Sequence, residues 1–481
     1  MTAEERELSD GEYKKLTPEL IDVLRNIVGA KYVLYDDFEK VEPYSHDEVV
    51  GEKWAHMPDA VVKPRTAEEI AAIMRLANRE KIPVTPRGAG SGLSGGAVPV
   101  HGGILLSLER MDQILEIDRA NMVAVVEPGV ITNNINTTLA EEGLFFAGYP
   151  MSVESCFIGG NVAENAGGGR AVKYGVTGRY IIGLEVVTPE GDIIHLGGKR
   201  VKDVVGYDLI HLMVGSEGTL GIFTKIFIKL LPLPVKKVNL LVLFKDISTA
   251  VALVPKIMTY GKIIPTAVEF MDRTAVELAC KYLNEHLYSQ EVGAMLLIEL
   301  DGSDEEQLVR EYEVIGEMCQ SAGAIEVFVA DNYTTQERVW AVRRNVPEGI
   351  QAAFPVKASE DLVVPIASLP ELLPKIAEIA AKFDVVIPCF GHAGDGNIHS
   401  TIAKRPEMPA EKWEKIEEQV RNELYQLVLS YGGTISGEHG IGHKRIKYMQ
   451  KALEPATITL MKRIKQAFDP NLILNPGKLF K

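Results

Sequence analysis

The sequence predicts an α+β fold in two parts, a glycine-rich first half and a glycine-poor second part in which longer strands alternate with amphipathic helices. Three observations carry this. The 481-residue length exceeds what one hydrophobic core ordinarily serves. From about Ala60 to Pro232, short apolar runs alternate with glycine turns. After Leu231 and Pro232 glycine thins, and residues 237 to 385 read as strands such as LLVLF and AMLLIEL between helices rich in Glu, Ala and Leu.

Individual elements follow from local chemistry. Thr66 and Glu69 form a capping box ahead of Ile70, Ile73, Met74 and Ala77, whose spacing places them on one helical face. LEVVTP and DIIHL flank Glu190 and Gly191 and predict a strand pair around a short polar turn. RVWAVRRNV reads as helical ahead of Pro347, and a charged helix begins near Trp413. The ending DPNLILNPGKLF, punctuated by Pro and Asn, predicts an irregular tail docked on the protein. There is no internal repeat.

Composition excludes function classes without choosing one. The hydrophobic share of 46% and charged share of 24% are those of a folded globular chain, and the net charge of -15 argues against nucleic acid or anionic membrane surfaces as partners. Cys156, Cys280, Cys319 and Cys389 lack the paired spacings of zinc ribbons or iron-sulfur clusters. The polar, acidic start MTAEERELSDGEYKK is unlike a secretory signal and the apolar runs are strand-sized, so a cytoplasmic location without an integral membrane segment is expected.

Two glycine-rich segments carry the first chemical signal. PRGAGSGLSGG, residues 86 to 96, follows the strand-like IPVT, and its glycines permit backbone N–H groups to turn inward around an anion such as a pyrophosphate. It contains GxGxxG, but Pro99, Gly102 and Gly103 follow where a dinucleotide Rossmann fingerprint requires a helix. IGGNVAENAGG, residues 158 to 168, reads as a second backbone-exposed loop, and the two together suit one extended ligand.

PRGAGSGLSGG, SCFIGGNVAENAGG, KYGVTGRYI and GSEGTLGIFT together resemble the FAD-binding half of the vanillyl-alcohol oxidase (PCMH-type) flavoprotein family, and the resemblance extends over nearly the whole chain. Within it the sequence is similar to the D-lactate dehydrogenase, glycolate oxidase flavin subunit and D-2-hydroxyglutarate dehydrogenase branch. The resemblance implies an N-terminal extension over 1–55 and a PCMH-type FAD domain of two α/β subdomains over 56–236. It further implies an α+β substrate cap over 237–420 and a segment, 421–481, returning to the FAD domain. Implied flavin contacts are Pro86, Arg87, Gly88, Ala89, Gly90, Ser91, Gly92, Pro150, Ser155, Cys156, Gly159, Gly160, Asn161, Gly167, Gly168, Tyr174, Gly175, Ile222 and Asn475. Residues 86 to 96 contain no His or Cys, so the FAD is expected to be non-covalent. Cys156 is expected to pack against flavin rather than react.

GHAGDGNIH places His392 and His399 close in sequence, and SGEHGIGH supplies Glu438, His439 and His443. Two imidazoles and a carboxylate, His392, His399 and Glu438, form a three-ligand set for a divalent metal, although Asp395, Gly396 and Asn397 also suit a plain tight turn. In metal-dependent relatives the resembling motifs supply these ligands, and the position of His439 is the proposed base. The metal stays open among Zn, Fe and Mn, and His443 is read as structural. The expected chemistry is oxidation of a D-2-hydroxy acid, with the metal lowering the hydroxyl pKa and the C2 hydride passing to flavin.

Arg343 matches the family's substrate arginine, suited to grip a carboxylate through parallel hydrogen bonds, and Lys357 is a second candidate. Thr401 stands where a dicarboxylate-specific relative has Asn, which favours a small acid, D-lactate or glycolate, over 2-hydroxyglutarate. With no relay of its own, the chain needs an electron acceptor. An electron-transfer flavoprotein is favoured, an iron-sulfur partner or quinone being the alternatives, and a homodimer is possible. Two rivals remain: a redox-neutral relative similar to alkylglycerone-phosphate synthase, for which no lipid-accommodating segment is seen, and a non-catalytic flavin electron-transfer subunit.

Overall fold

The computed structural model describes residues 13–49, 51–285 and 291–480. The chain forms two compact units, residues 1–166, 176–233 and 438–481 in the first and residues 167–175 and 234–437 in the second. The expected boundaries at 236 and 420 thus stand beside contact boundaries at 233 and 437, and the charged helix Ala410–Ser430 lies in the second unit.

The first unit contains two larger sheets. One has four strands in the order Val33–Leu34, Ala60–Val62, Ile104–Ser107, Val84–Arg87, the last three mutually parallel. The other has five antiparallel strands in the order Ile114–Asp118, Val123–Val126, Ile222–Lys229, Ile181–Val187, Ile193–Gly197. The helix Ala67–Glu80 starts as its sequence dictates. Thr66 Oγ1 accepts from Glu69 N at 3.2 Å, while Glu69 reaches back one residue further than expected, to Arg65 N at 2.6 Å. Its face of Ile70, Ile73, Met74 and Ala77 joins Val84, Ile104 and Leu106 from one sheet and Val187 and Ile222 from the other in a single core. Each such Ile, Leu, Val or Met side chain contributes about 1.5–3 kcal/mol by leaving water.

Residues 158–164 correct an expectation. They form a short helix, Ile158–Glu164, rather than a loop. Two glycines disfavour helix, but Ile158 and Val162 are fully buried and Asn165, at φ 53°, closes the last turn in the left-handed conformation Asn tolerates. The tail docks as expected: Ile473 and Leu474 are fully buried, and Val84 N–H donates to Ile473 O while Asn475 N–H donates to Val84 O.

The second unit is built on a seven-stranded antiparallel sheet in the order Glu326–Ala330, Lys236–Phe244, Ala294–Gly302, Ala267–Asp272, Cys389–His392, Asn397–Ala403, Lys357–Val363. Successive side chains alternate between its faces. Leu241, Met271, Met295 and Leu297 pack on one face against helices Arg273–Leu283, Tyr333–Arg344 and Val346–Ala353. Glu360 points to the opposite face, where Arg421 and Tyr425 of the helix Ala410–Ser430 donate to its carboxylate. The helix carrying Arg343 begins at Asn332, whose side chain accepts from Thr335 N.

Candidate active site

In the second unit, strand register puts a set of polar side chains on one sheet face. Glu269 pairs with His392, His392 with Asn397, Phe390 with His399, His399 with Asp361 and Thr401 with Ser359, and opposed residues share a face. His392 and His399 therefore meet: their rings are 5.2 Å apart and nearly perpendicular, at 89°. Lys357, two residues before Ser359, is half-buried on the same face, and burial pulls its ammonium below the usual lysine range. Ser359 and Thr401 hydroxyls are 3.5 Å apart.

Glu269, which the sequence reading missed, binds these parts together. It is fully buried; Oε1 lies 2.6 Å from His392 Nδ1, and Oε2 accepts from Arg343 Nε at 2.6 Å. Burial alone would raise its carboxyl pKa, but the charge of Arg343 and the hydrogen bond with His392 outweigh it and hold the group at about 2. Arg343 is itself 4% exposed, with its guanidinium over the Phe390 ring at 4.9 Å. Its Nη2 is buried and, among the described residues, has no hydrogen-bond partner. An orphaned guanidinium donor is costly to bury, and it is what a carboxylate ligand satisfies.

Two further contacts shape this face. Asp361, fully buried, accepts from Asn397 Nδ2 at 2.7 Å, Ser436 Oγ at 2.8 Å and Gly437 N at 2.8 Å, which fixes the residue directly before Glu438. The segment Gly167–Gly175 belongs to this unit: Arg170 pairs with Glu299, and Lys173 and Tyr174 with Asp301. Gly169 approaches so closely that an added Cβ would stand 2.1 Å from Glu269 Oε1. Among the proposed flavin contacts, Gly167, Gly168, Tyr174 and Gly175 thus lie in the second unit, with the Tyr174 hydroxyl donating to Asp301.

The glycine segment of the first unit has the geometry of an anion cradle. The amides of residues 88–92 donate to no protein acceptor among the described residues, while Gly92 O accepts from Glu48 N and Gly95 N donates to Asp47. Gly90 sits at φ 76°, and a Cβ there would strike the Arg87 guanidinium at 2.1 Å. That guanidinium donates to His46 O at 2.6 Å and Pro43 O at 3.4 Å, so Arg87 braces the loop from the N-terminal side. Gly160 N lies 3.6 Å from where Gly88 would carry a Cβ, so the two glycine segments meet. Asn161 donates to Thr132 Oγ1, and buried Cys156 contacts both through sulfur at 3.4 Å. Pro150 and Ser155 lie in an exposed turn region, Ile222 is buried at a strand start, and Asn475 donates to Gly96 O and Glu217 O.

Glu438 and His439 belong to the first unit, Glu438 Oε1 being 3.9 Å from His439 Nε2. Buried Glu217, from GSEGTLG, holds the residues after them by accepting from Ile441 N at 2.8 Å and Gly442 N at 2.6 Å. Gly440 leaves room for Glu164, whose carboxyl is pushed well up by burial and by the neighbouring charge of Glu217. His443 packs edge-on to the Trp54 and His56 rings and contacts Gly477 O, as a structural residue does.

Comparison with known proteins decides the family. The FAD-linked oxidase C-terminal domain matches residues 233–479, half of the chain, and an FAD-binding domain matches residues 58–197. The chain belongs to the FAD-linked oxidases. A D-lactate dehydrogenase of Anaerostipes hadrus is 38% identical over 477 residues, covering 98% of this FAD-linked oxidase and 99% of the relative. The glycolate oxidase subunit GlcD of Bacillus subtilis is 42% identical over 444 residues, covering 91% and 92%. In fold, p-cresol methylhydroxylase with substrate bound superposes at a TM-score of 0.77, with 20% identity, over 95% of this chain and 96% of that one. The PCMH-type α+β fold and an FAD-dependent oxidoreductase are thereby established. Among the described residues no helix is long and apolar enough to cross a membrane.

Proposed function

We propose that this FAD-linked oxidase dehydrogenates a small D-2-hydroxy acid, D-lactate foremost, to the 2-oxo acid and passes the electrons to an electron-transfer flavoprotein. The observation that carries the reading is the partnerless Nη2 of buried Arg343, placed one carboxylate away from the His392–His399 pair. An anion-seeking donor beside two imidazoles suits a ligand with a carboxylate next to a hydroxyl.

The residues fit both implied groups. The unpaired amides of residues 88–92 suit the FAD pyrophosphate, and the perpendicular imidazoles of His392 and His399, with Glu438 following anchored Gly437, suit a divalent cation such as Zn, Fe or Mn. When bound, FAD supplies hydride acceptance and the cation Lewis acidity toward the hydroxyl. The chain's own work is then to orient and to move one proton: Arg343 grips the substrate carboxylate, and His439 receives the hydroxyl proton. Lys357 lies farther along the same face and supplies the second reading, a substrate with a distal carboxylate such as 2-hydroxyglutarate, with an iron-sulfur partner or quinone as acceptor. The close Ser359–Thr401 hydroxyls provide no charge for such a group and favour the smaller acid.

Anaerobic mixing of purified protein with D-lactate, glycolate and D-2-hydroxyglutarate tests this through flavin bleaching. D-Lactate is expected to bleach fastest, and chelator treatment or His439→Ala to slow it. Bleaching untouched by both controls would remove the cation and base roles. Reoxidation by electron-transfer flavoprotein, compared with a quinone, tests the acceptor.

A further inference from the structure

We propose that Glu269 is a positioning residue that sets the tautomer of His392 and ties it to Arg343, so that one carboxylate prepares both halves of the site. The inference rests on the reading of His392 as a cation ligand. It starts from the two oxygens of Glu269, one 2.6 Å from His392 Nδ1 and the other 2.6 Å from Arg343 Nε. A carboxylate accepts only, so it holds the His392 proton on Nδ1 and makes Nε2 the lone-pair nitrogen, the form a metal needs. The opposite oxygen occupies Arg343 Nε and leaves the Nη2 edge for a ligand anion. Glu269 is fully buried in a strand, and its partners lie on a different strand and on a helix, so the carboxylate fixes the separation of the imidazole and the guanidinium.

Glu269→Gln makes the argument sharp. The amide keeps the shape but offers one acceptor and one donor. If its oxygen serves Arg343, its NH₂ faces His392 Nδ1, which must then become the acceptor, and the ring proton moves to Nε2. The expected result is a 10- to 100-fold weaker affinity for the cation, as losses of such carboxylate supports produce. Equilibrium dialysis of flavin-loaded protein against Zn²⁺ or Mn²⁺, with metal read by mass spectrometry, measures this directly. A wild type that retains no cation sinks the metal reading itself. A wild type that retains one, with Glu269→Gln holding it equally well, overturns the role of Glu269 alone. A second measurement needs no variant: ¹⁵N spectra of metal-free wild-type protein are expected to show His392 protonated at Nδ1. A ring protonated at Nε2 overturns the proposal, whereas a merely structural Glu269 would lower stability without governing either readout.

Discussion

Arg343 gives the most quantitative handle on the site, because its two jobs respond differently to two substitutions. Arg343→Met removes the donor 2.6 Å from Glu269 Oε2 in surroundings where both side chains are 5% exposed or less. Breaking a buried pair from one side costs about 3–5 kcal/mol, so Arg343→Met is expected to unfold at clearly lower urea than the wild type. Arg343→Lys keeps the positive charge for Glu269, and its stability is expected to fall much less. A single ammonium cannot also present the second edge that Nη2 presents, however, and a hydrogen bond to a charged group is worth about 1.5–3 kcal/mol. That corresponds to about 10- to 150-fold in kcat/KM for the hydroxy acid. Anaerobic stopped-flow of flavin reduction against D-lactate concentration, beside urea unfolding of each variant, measures both quantities. Arg343→Lys with unchanged flavin reduction would refute the carboxylate grip, and Arg343→Met as stable as wild type would refute the ion pair.

Three more outcomes follow from close contacts and burial. Gly169→Ala places a Cβ 2.1 Å from Glu269 Oε1 and 3.1 Å from His392 Nδ1. A cost of about 1–3 kcal/mol in thermal unfolding and weaker cation retention are expected, and an unaffected variant would show that the contact is slack. Gly90→Ala strains a backbone at φ 76° and drives into the Arg87 guanidinium, so purified protein is expected to carry less FAD by its flavin-to-protein absorbance ratio. Lys478, fully buried and donating to Val98 O, has its pKa lowered by burial from 10.5 to about 7. The unfolded chain therefore binds this proton more tightly than the folded one. The cost is fully present below about pH 7, and this group makes stability rise with pH up to about 10.5, by about 1.4 kcal/mol per pH unit. Lys478→Met is expected to lose that slope in urea unfolding between about pH 7.5 and about pH 9; equal slopes in both proteins would contradict it.

Much of the fold was legible because its signals are local. The Thr66–Glu69 cap, the turn at Glu190–Gly191 and the apolar strands from Lys236 and Ala294 each depend on a few neighbouring residues, and each element appears where its pattern stands. Residues 158–164 misled for the opposite reason. Their glycines argue locally for a loop, and only the burial of Ile158 and Val162, a tertiary fact, makes them helical. Candidate site residues were legible where they stand in short motifs, as His392 and His399 do. Glu217 was not, since nothing in GSEGTLG says that its carboxylate will hold the amides of Ile441 and Gly442, more than 200 positions later.

Glu269 lies 123 positions from His392, yet a signal for it exists in the sequence. It is the single acid inside AVEFM, a run that reads as a strand buried on both faces. An ionised carboxylate in such a strand is tolerable only with a partner, so the residue type alone demands a cation or a set of donors from elsewhere in the fold. The same demand is met each time it arises in this sheet. Glu299 and Asp301, closing the run AMLLIELD, hold Arg170 and Lys173; Glu360 holds Arg421; Asp361 holds Ser436 and Gly437. Glu299, Asp301 and Glu360 tie distant segments and a helix to the sheet, whereas Glu269 spends its two oxygens on an imidazole and on a guanidinium with an edge to spare. Acids stranded in apolar strands therefore mark where this fold needs a partner, and the chemistry of the partner separates those that brace the fold from Glu269, which joins an imidazole to a guanidinium.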